Sequence, residues 1–307
     1  MKTRNDRPSI IFIVGPTSSG KSKVAVELAK RIGGEIFSCD SMQVYRDMDV
    51  INQAPAEEIM SGVKHHIVRV IPPEEEFSAA KFAQMAEQAV GSIISSGKVP
   101  IGAGGTGLYI KSLVDGIFES PPKDPGLRER LKQTAAQNGK EYLHVQLEKI
   151  DPETAGKLHP NDLRRVIRAF EVYELTGRTI HDKKSEKEGI AKKYEIRMFG
   201  LSLPRKILYD RINSAVDNMF ERGIVKEVES LRGRALSLTA GKALGIKEVS
   251  SFFDGKRSVE EAKEELKRNT RKYAKRQLTW FRADGRVEWL DADRDPGEIA
   301  EEIRKLI

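Results

Sequence analysis

The spacing of apolar residues changes repeatedly along this chain, and each change predicts an element. Short β-branched or aromatic runs predict strands at 9–14, 35–39, 99–103, 196–203 and 287–290. Apolar residues at helical spacing predict helices that include 24–32, 82–93 and 259–281. Because strands alternate with helices, the pattern predicts an α/β fold with a parallel sheet flanked by helices.

The turn after the first predicted strand is rich in glycine and ends in a lysine. It reads Gly15, Pro16, Thr17, Ser18, Ser19, Gly20, Lys21, Ser22, which fits the P-loop pattern G-x-x-x-x-G-K-[ST]. A strand before it and a helix after it direct backbone N–H groups and the helix dipole at one point. We expect Lys21 to bind a phosphate and the Ser22 hydroxyl to bind Mg²⁺. The motif leaves open whether a nucleotide such as ATP also binds this loop.

Two further polar groups follow predicted strands. Asp40 comes directly after the second strand, and Thr106 lies in a second glycine-rich turn, 104–107, after the third. The carboxyl ends of parallel strands meet at one edge of a sheet, so both side chains should lie near the P-loop. The alternative for Asp40 is an Asx turn that closes its strand.

Composition restricts the cellular context. Lysine plus arginine number 53 against 46 acidic residues, a formal charge of +7, which favours a polyanionic partner without requiring one. The single cysteine, Cys39, rules out an intramolecular disulfide and suits a reducing compartment. No apolar run is long enough to span a bilayer. We therefore expect a cytoplasmic protein that does not contact membranes.

Composition also divides the chain. From 117 to 194 the segments are short, charged and compatible with helices, and Pro121-Pro122 marks the start. This predicts an all-helical insertion domain at 117–194, within a P-loop core made of 1–116 and 195–307. One predicted helix, 161–173, carries Arg164, Arg165 and Arg168.

The predicted helix 259–281 carries two basic rows. Lysine and arginine recur at i, i+4 spacing in the rows 267, 271, 275 and 268, 272, 276. Like charges at this spacing destabilise a helix. Such a surface is better explained by nucleic-acid phosphates than by solubility alone, and we assign Lys275 and Arg276 to phosphates on charge.

Three classes of protein could use these features. A small-molecule P-loop kinase would use the loop, the Mg²⁺ hydroxyl and Asp40, but would not need the basic surfaces. A non-catalytic RNA-binding protein would need the basic surfaces but not the carboxylate. A transferase acting on a nucleic acid would use all of them.

Several segments resemble the tRNA dimethylallyltransferase family, also called tRNA isopentenyltransferase. They are the P-loop 15–22, Asp40-Ser41-Met42-Gln43-Val44-Tyr45, Gly104–Tyr109, Asn161–Ala169 and Tyr273–Arg282. The resemblance runs in order over nearly the whole chain. It implies transfer of a dimethylallyl group from dimethylallyl diphosphate to N6 of the adenosine that follows the tRNA anticodon, with release of pyrophosphate and dependence on Mg²⁺.

The resemblance also implies roles for residues. Lys21 and the loop would hold the diphosphate, Thr106 would bind it near the breaking bond, and Asp40 would accept the proton from the attacking amine. The remaining family contacts would be with tRNA, and adenine flipped out of the anticodon loop would meet 40–43. The residues in those expected contacts are Asp40, Ser41, Met42, Gln43, Thr106, Arg128, Arg164, Arg165, Val166, Ile167, Arg168 and Lys247.

The chain departs from the family pattern at two positions. Ala215 stands where the family has an arginine that helps to hold pyrophosphate, and Arg211 and Arg222 are the candidate replacements. Ile246 stands where a tyrosine is more frequent. The alternatives kept open are a P-loop kinase and an adenylate isopentenyltransferase that acts on a free nucleotide. We expect the protein to be a monomer.

Overall fold

A computed structural model describes residues 7–54, 60, 62–118, 121–184 and 188–307. Its centre is a six-stranded sheet in the order β3-β2-β4-β1-β5-β6, in which every pair is parallel. The strands are β1 Ser9–Val14, β2 Gly34–Ser38, β3 His65–His66, β4 Val99–Gly104, β5 Glu195–Ser202 and β6 Val287–Asp291. Five of them match the predicted strands, whereas the apolar pattern did not predict the two-residue β3.

Helices cover both faces of the sheet or build the insertion. In the core they are α1 Lys21–Ile32, α2 Ala79–Ser95, α3 Gly107–Val114, α9 Arg205–Glu221, α10 Ile224–Leu231, α11 Ile246–Phe253, α12 Val259–Arg282 and α13 Pro296–Leu306. In the insertion they are α4 Pro125–Asn138, α5 Lys140–Ile150, α6 Pro152–Ala155, α7 Leu163–Thr176 and α8 Ile180–Lys184. None of the helices in the described ranges has the length and apolar character needed to cross a membrane.

The strand β1 shows how the sheet is buried on both faces. Ile10, Phe12 and Val14 belong to one hydrophobic cluster, while Ile11 and Ile13 belong to another. This alternation follows the period of two in a β-strand. The first cluster includes the apolar face of α2, and the second includes α1 and α13. Because β1 is central and buried on both faces, the turn that follows it starts from a fixed position.

The chain forms two compact units, 1–114 with 190–307, and 115–189. The boundaries lie near those predicted from composition, after 116 and after 194. The difference at the second boundary has a packing reason, since Ile190 is buried in a core cluster of the first unit. The second unit is helical throughout its regular elements and has its own hydrophobic cluster, which includes Leu131, Leu147 and Phe170.

Candidate active site

The P-loop follows β1 and ends where α1 begins. Gly15 has a φ of 138°, and a Cβ there would lie 2.8 Å from the carbonyl oxygen of Leu201 on the neighbouring strand. Ser18 has a φ of 61°, and Gly20 caps α1 with a φ of 95°. These left-handed residues turn the chain back over the start of α1, where helix N–H groups have no backbone partners.

Polar groups in this loop lack partners or are withdrawn from water. The Ser18 and Ser19 hydroxyl oxygens are buried and have no hydrogen-bond partner among the described residues. The Lys21 Nζ donates to the Pro16 carbonyl oxygen at 2.6 Å. Burial lowers the pKa of Lys21 to about 8, although the negative charge of Asp40 opposes that shift. Buried hydroxyls without partners are costly, so the loop is suited to receive an anion.

Asp40 follows β2 and faces the same cavity. Its Oδ1 accepts a hydrogen bond from the Met42 N–H at 2.9 Å, which is the Asx turn that we considered as the structural alternative. Burial raises the pKa of Asp40, while the N–H groups of Met42 and Gln43 and the charge of Lys21 counteract it. A carboxylate that is withdrawn from water and has a raised pKa is a better proton acceptor than a solvated one.

Thr106 lies beside this carboxylate turn. Its Oγ1 accepts a hydrogen bond from the Ser41 N–H at 3.0 Å and is 3.4 Å from the Ser41 hydroxyl. Gln43 is fixed in turn, since the Ser38 hydroxyl donates to its side-chain oxygen at 2.8 Å. The structure therefore brings Thr106 to the turn at Asp40, and its hydroxyl links the second glycine-rich turn to the residues that follow β2.

A cavity of about 880 Å³ lies between the P-loop and the turn at Asp40. It is lined by the loop residues Thr17–Lys23, the turn Asp40–Gln43, one face of α9 and part of α12. The apolar part of the lining includes Ile51, Met219 and Leu266. One cavity thus holds an anion cradle, a proton acceptor and apolar surface.

Two arginines near the cavity are the candidates to replace the arginine that the family pattern has at position 215. Ala215 lines the cavity together with Arg211 on the same helix and with Arg222, which caps the C-terminal end of that helix. Arg211 is engaged, because it lies 3.2 Å from the Asp293 carboxylate and 3.5 Å from the Ala292 carbonyl oxygen. Arg222 has no ion pair within the described part of the chain and is exposed. Of the two candidates, only Arg222 is not already bound to a carboxylate.

Two cavity residues were assigned no role from the sequence. They are Tyr273 and Gln277, which both lie on α12. Burial and the nearby negative charge of Asp40 raise the pKa of Tyr273 above its usual range. The seam that is buried consists of Ala262, Leu266, Thr270, Ala274, Gln277 and Phe281. Thr270 and Gln277 are the polar residues of this buried seam, and polar residues at buried helical positions indicate a contact other than hydrophobic packing.

The basic rows on α12 are less uniform than predicted. Lys267 lies 2.8 Å from Asp217 and 2.9 Å from Glu264, and Arg268 lies 3.5 Å from Glu265. The prediction of an uninterrupted basic surface is wrong for this end of the helix, because acidic neighbours from α9 and from the preceding turn neutralise it. Lys275 and Arg276 are exposed, and Arg276 lies over the Tyr273 ring and lines the cavity.

The insertion corrects two predicted tRNA contacts. The side chains of Val166 and Ile167 are buried in its hydrophobic cluster, with exposed fractions of 0% and 6%. They are apolar positions on the inner face of α7, so they cannot present side chains to RNA here.

Two arginines in the same prediction have internal partners. Arg128 and Arg168 both bind the carboxylate of Glu171, which is fully buried. Their role in tRNA binding stays a prediction, as do those of the exposed residues Arg164, Arg165 and Lys247.

The donor groups fit Mg²⁺ of the kind that binds with phosphates. Ser22, the residue expected to bind the metal, stands in the first turn of α1 and lines the cavity. No cluster of three His, Cys, Asp or Glu side chains occurs among the described residues. Mg²⁺ needs no such cluster, since it usually keeps waters and binds one or two protein oxygens together with substrate phosphates.

Sequence comparisons identify relatives across nearly the whole chain. The profile of a family described as IPP transferase matches residues 43–284. A protein of Acetivibrio thermocellus named tRNA dimethylallyltransferase is 47% identical over 288 residues, which is 93% of this chain and 92% of that protein. One of the same name from Geobacillus thermodenitrificans is 44% identical over 97% of this chain and 94% of its own.

Solved structures agree in fold. Full-length tRNA isopentenylpyrophosphate transferase from Bacillus halodurans is 40% identical, with a TM-score of 0.72 over 98% of this chain and 95% of that chain. A eukaryotic dimethylallyltransferase acting on tRNA is 29% identical, with a TM-score of 0.79 over 93% of this chain and 74% of that chain. The predicted P-loop α/β fold is confirmed, and the names favour the tRNA hypothesis over both enzyme alternatives. The chain belongs to the IPP transferase family, among the tRNA dimethylallyltransferases.

Proposed function

We propose that this protein transfers a dimethylallyl group from dimethylallyl diphosphate to N6 of the adenosine on the 3′ side of the tRNA anticodon. The allylic C–O bond breaks, a C–N bond forms, and pyrophosphate leaves. The observation that carries the proposal is that one cavity contains the anion cradle at Ser18–Ser22 and the Asp40 carboxylate. The names of its relatives support tRNA and a dimethylallyl group as the reactants, and the anion cradle supports a diphosphate as the leaving group.

The loop acts on the leaving group. As the allylic carbon becomes cation-like, negative charge accumulates on the diphosphate. The hydroxyls of Ser18 and Ser19, the N-terminal N–H groups of α1 and Lys21 are the groups placed to bind it. They are preorganised by the backbone of the turn, so little reorganisation is needed when charge develops. Mg²⁺ bound at Ser22 would add positive charge against the same phosphates.

Asp40 acts on the nucleophile. The exocyclic amine loses a proton when it attacks carbon, and Asp40 accepts that proton. General-base catalysis of this kind contributes about 10²–10⁴-fold to a rate. Because burial raises the pKa of Asp40, the proton transfer is more favourable than it would be to an exposed carboxylate.

The acceptor adenosine must leave its stack to reach this cavity, since N6 of a stacked base is inaccessible at depth. We propose that Ser41, Met42 and Gln43, which line the cavity beside Asp40, contact the flipped base. Lys275 and Arg276 would bind tRNA phosphates outside it. We also propose that the protein acts as a monomer in the cytoplasm, where its buried thiol Cys39 would stay reduced.

The test separates the three enzyme hypotheses in one experiment. The protein is incubated with Mg²⁺ and dimethylallyl diphosphate labelled in its carbon chain, with either unmodified tRNA or AMP, and in parallel with γ-labelled ATP. We expect label in tRNA and none in AMP. A matched tRNA with guanosine in place of the target adenosine should remain unlabelled. Carbon label in AMP, or γ-phosphate transfer without prenylation of tRNA, would contradict the proposal.

A further inference from the structure

One buried amide on α12 joins the two glycine-rich loops of the site. The Gln277 Oε1 accepts a hydrogen bond from the Thr17 N–H at 2.8 Å, in the P-loop. Its Nε2 donates to the Gly105 carbonyl oxygen at 3.0 Å, in the second glycine-rich turn. Gln277 is 5% exposed, and its partners lie 260 and 172 residues away in the sequence.

The chemistry of the two partners requires an amide. Thr17 offers a backbone donor and Gly105 offers a backbone acceptor, so the side chain between them must accept with one atom and donate with another. A glutamine does both while remaining neutral, which also fixes the orientation of its oxygen and nitrogen. A charged side chain at this depth would need a compensating partner.

The second glycine-rich turn is shaped to admit this helix. A Cβ at Gly105 would lie 2.1 Å from the Gln277 Nε2, and a Cβ at Gly107 would lie 2.1 Å from the Trp280 ring. Neither glycine has a positive φ, so close approach rather than backbone conformation accounts for them. The close contact of Gly107 with Trp280 adds to the hydrogen bonds of Gln277 a second observation that α12 packs directly against the turn.

We infer that Gln277 is a positioning residue for the diphosphate: it holds the P-loop at a fixed distance from the turn that carries Thr106. It contacts no reacting atom itself. By accepting from Thr17, it removes that N–H from solvent and fixes the peptide plane at the start of the cradle. Gln277 therefore affects the binding of the donor substrate. The exposed side of the same helix carries Lys275 and Arg276. This inference rests on the proposed function for the identity of the anion.

Replacement of Gln277 tests the inference in the full-length protein. Gln277→Met keeps the length of the side chain and removes both hydrogen bonds. We expect the Kd for inorganic pyrophosphate with Mg²⁺, measured by calorimetry, and the KM for dimethylallyl diphosphate to rise about tenfold, the equivalent of one or two lost hydrogen bonds. The Kd for tRNA should stay within about twofold. Thr279→Ala, on the exposed face of the same helix, is the control and should change neither constant.

A second variant keeps the test decisive if the first is unstable. Gln277→Glu presents two acceptors when ionised, so it repels the Gly105 carbonyl, but when protonated it again offers one donor and one acceptor. Its pyrophosphate affinity relative to wild type should recover as the pH falls from about 8 towards 5. Residues with only a packing role would give no such recovery.

The outcomes distinguish this inference from the proposed function. If wild type prenylates tRNA and binds pyrophosphate, but Gln277→Met binds pyrophosphate equally well, the positioning role is wrong while the function stands. An equal loss of tRNA and pyrophosphate affinity, or a Gln277→Glu deficit that does not change with pH, would also overturn it. If wild type binds no pyrophosphate, the proposed function itself fails.

Discussion

The insertion and the candidate active site both contain buried charge, and they treat it in opposite ways. In the insertion, the carboxylate of Glu171 accepts hydrogen bonds from Arg128 at 2.7 Å, from the Asp124 N–H at 2.8 Å and from Arg168. Burial alone would raise the pKa of Glu171, but these partners lower it to about 2. In the active site, burial raises the pKa of Asp40 and lowers that of Lys21.

The difference separates a structural from a functional use of polar groups. A buried charge with a full set of partners fixes the packing around it and has no capacity left for a ligand. A buried charge with too few partners is held away from its preferred ionisation state, which is useful only if a substrate completes the set. The Ser18 and Ser19 hydroxyls are neutral, but they too are buried without partners and are suited to a substrate that would supply them.

The sharpest test of this contrast is removal of the active-site carboxylate. Asp40→Asn keeps the acceptor for the Met42 N–H but cannot take up a proton, so we expect kcat to fall by about 10²–10⁴-fold. The Kd for tRNA, measured by gel shift, should change by no more than a few-fold. A large loss of tRNA binding with normal turnover would contradict the assigned role.

Removal of the insertion carboxylate should instead reduce stability. Glu171→Gln leaves two half-buried arginines without their anion, and we expect a loss of about 3 kcal/mol in the free energy of unfolding at pH 7. Pyrophosphate affinity should not change. The depressed pKa means that the stabilisation is complete above the usual range of a glutamate and is lost as the pH falls towards about 2.

Denaturant titrations at a series of pH values would measure this dependence. The difference between wild type and Glu171→Gln should therefore shrink in acid. Glu174→Gln, which breaks an exposed pair with Arg130, is the matched control and should have little effect. A similar loss in both variants would mean that burial of the Glu171 network is not what stabilises the insertion.

The basic helix offers an intermediate case, because only part of it lacks acidic partners. Replacing Lys275 and Arg276 together with alanine should flatten the dependence of log Kd for tRNA on log salt by roughly two units. Lys267→Ala should leave the slope unchanged, since that lysine binds Asp217 and Glu264. If the double variant keeps the wild-type slope, these side chains face solvent in the complex.

The smallest expected effect is the pH dependence of donor binding in the absence of tRNA. Anion binding needs protonated Lys21, whose pKa in the free protein is about 8. The affinity for dimethylallyl diphosphate should thus fall about threefold between pH 7.5 and 8.5, above the phosphate ionisation near pH 6. Lys21→Arg, which stays protonated, should remove this decrease. A wild-type affinity that is constant over this interval would show that Lys21 is already charged.

Local patterns predicted the catalytic edge of the fold well. The strand β1, the P-loop and the positions of Asp40 and Thr106 after parallel strands follow from residue spacing alone, and the structure brings them to one edge. Partners distant in sequence could not be predicted in this way. Gln277 looked like one polar residue among many on a charged helix, and nothing near it in the sequence names Thr17 or Gly105.

The sequence also did not predict which charged residues have buried partners. The run Arg164–Arg168 predicted a basic surface, but Val166 and Ile167 point into the insertion, and Arg168 is bound to Glu171. An ion pair depends on which helices pack together, and periodicity carries no information about that. The end of the α12 rows at Lys267 was mispredicted for the same reason, since Asp217 belongs to another helix.

The way the insertion is spliced into the core has a consequence for how this architecture can change. Gly116 and Glu188 lie against each other, since a Cβ on the glycine would come within 2.6 Å of the Glu188 backbone, and Val114 and Ile190 share one hydrophobic cluster. The inserted segment therefore begins and ends at the same place in the core. The entropic cost of closing such a loop grows only logarithmically with the number of residues in it. Residues can be gained or lost there at little thermodynamic cost to the sheet, so this segment can vary in length while the core that carries the candidate active site stays the same.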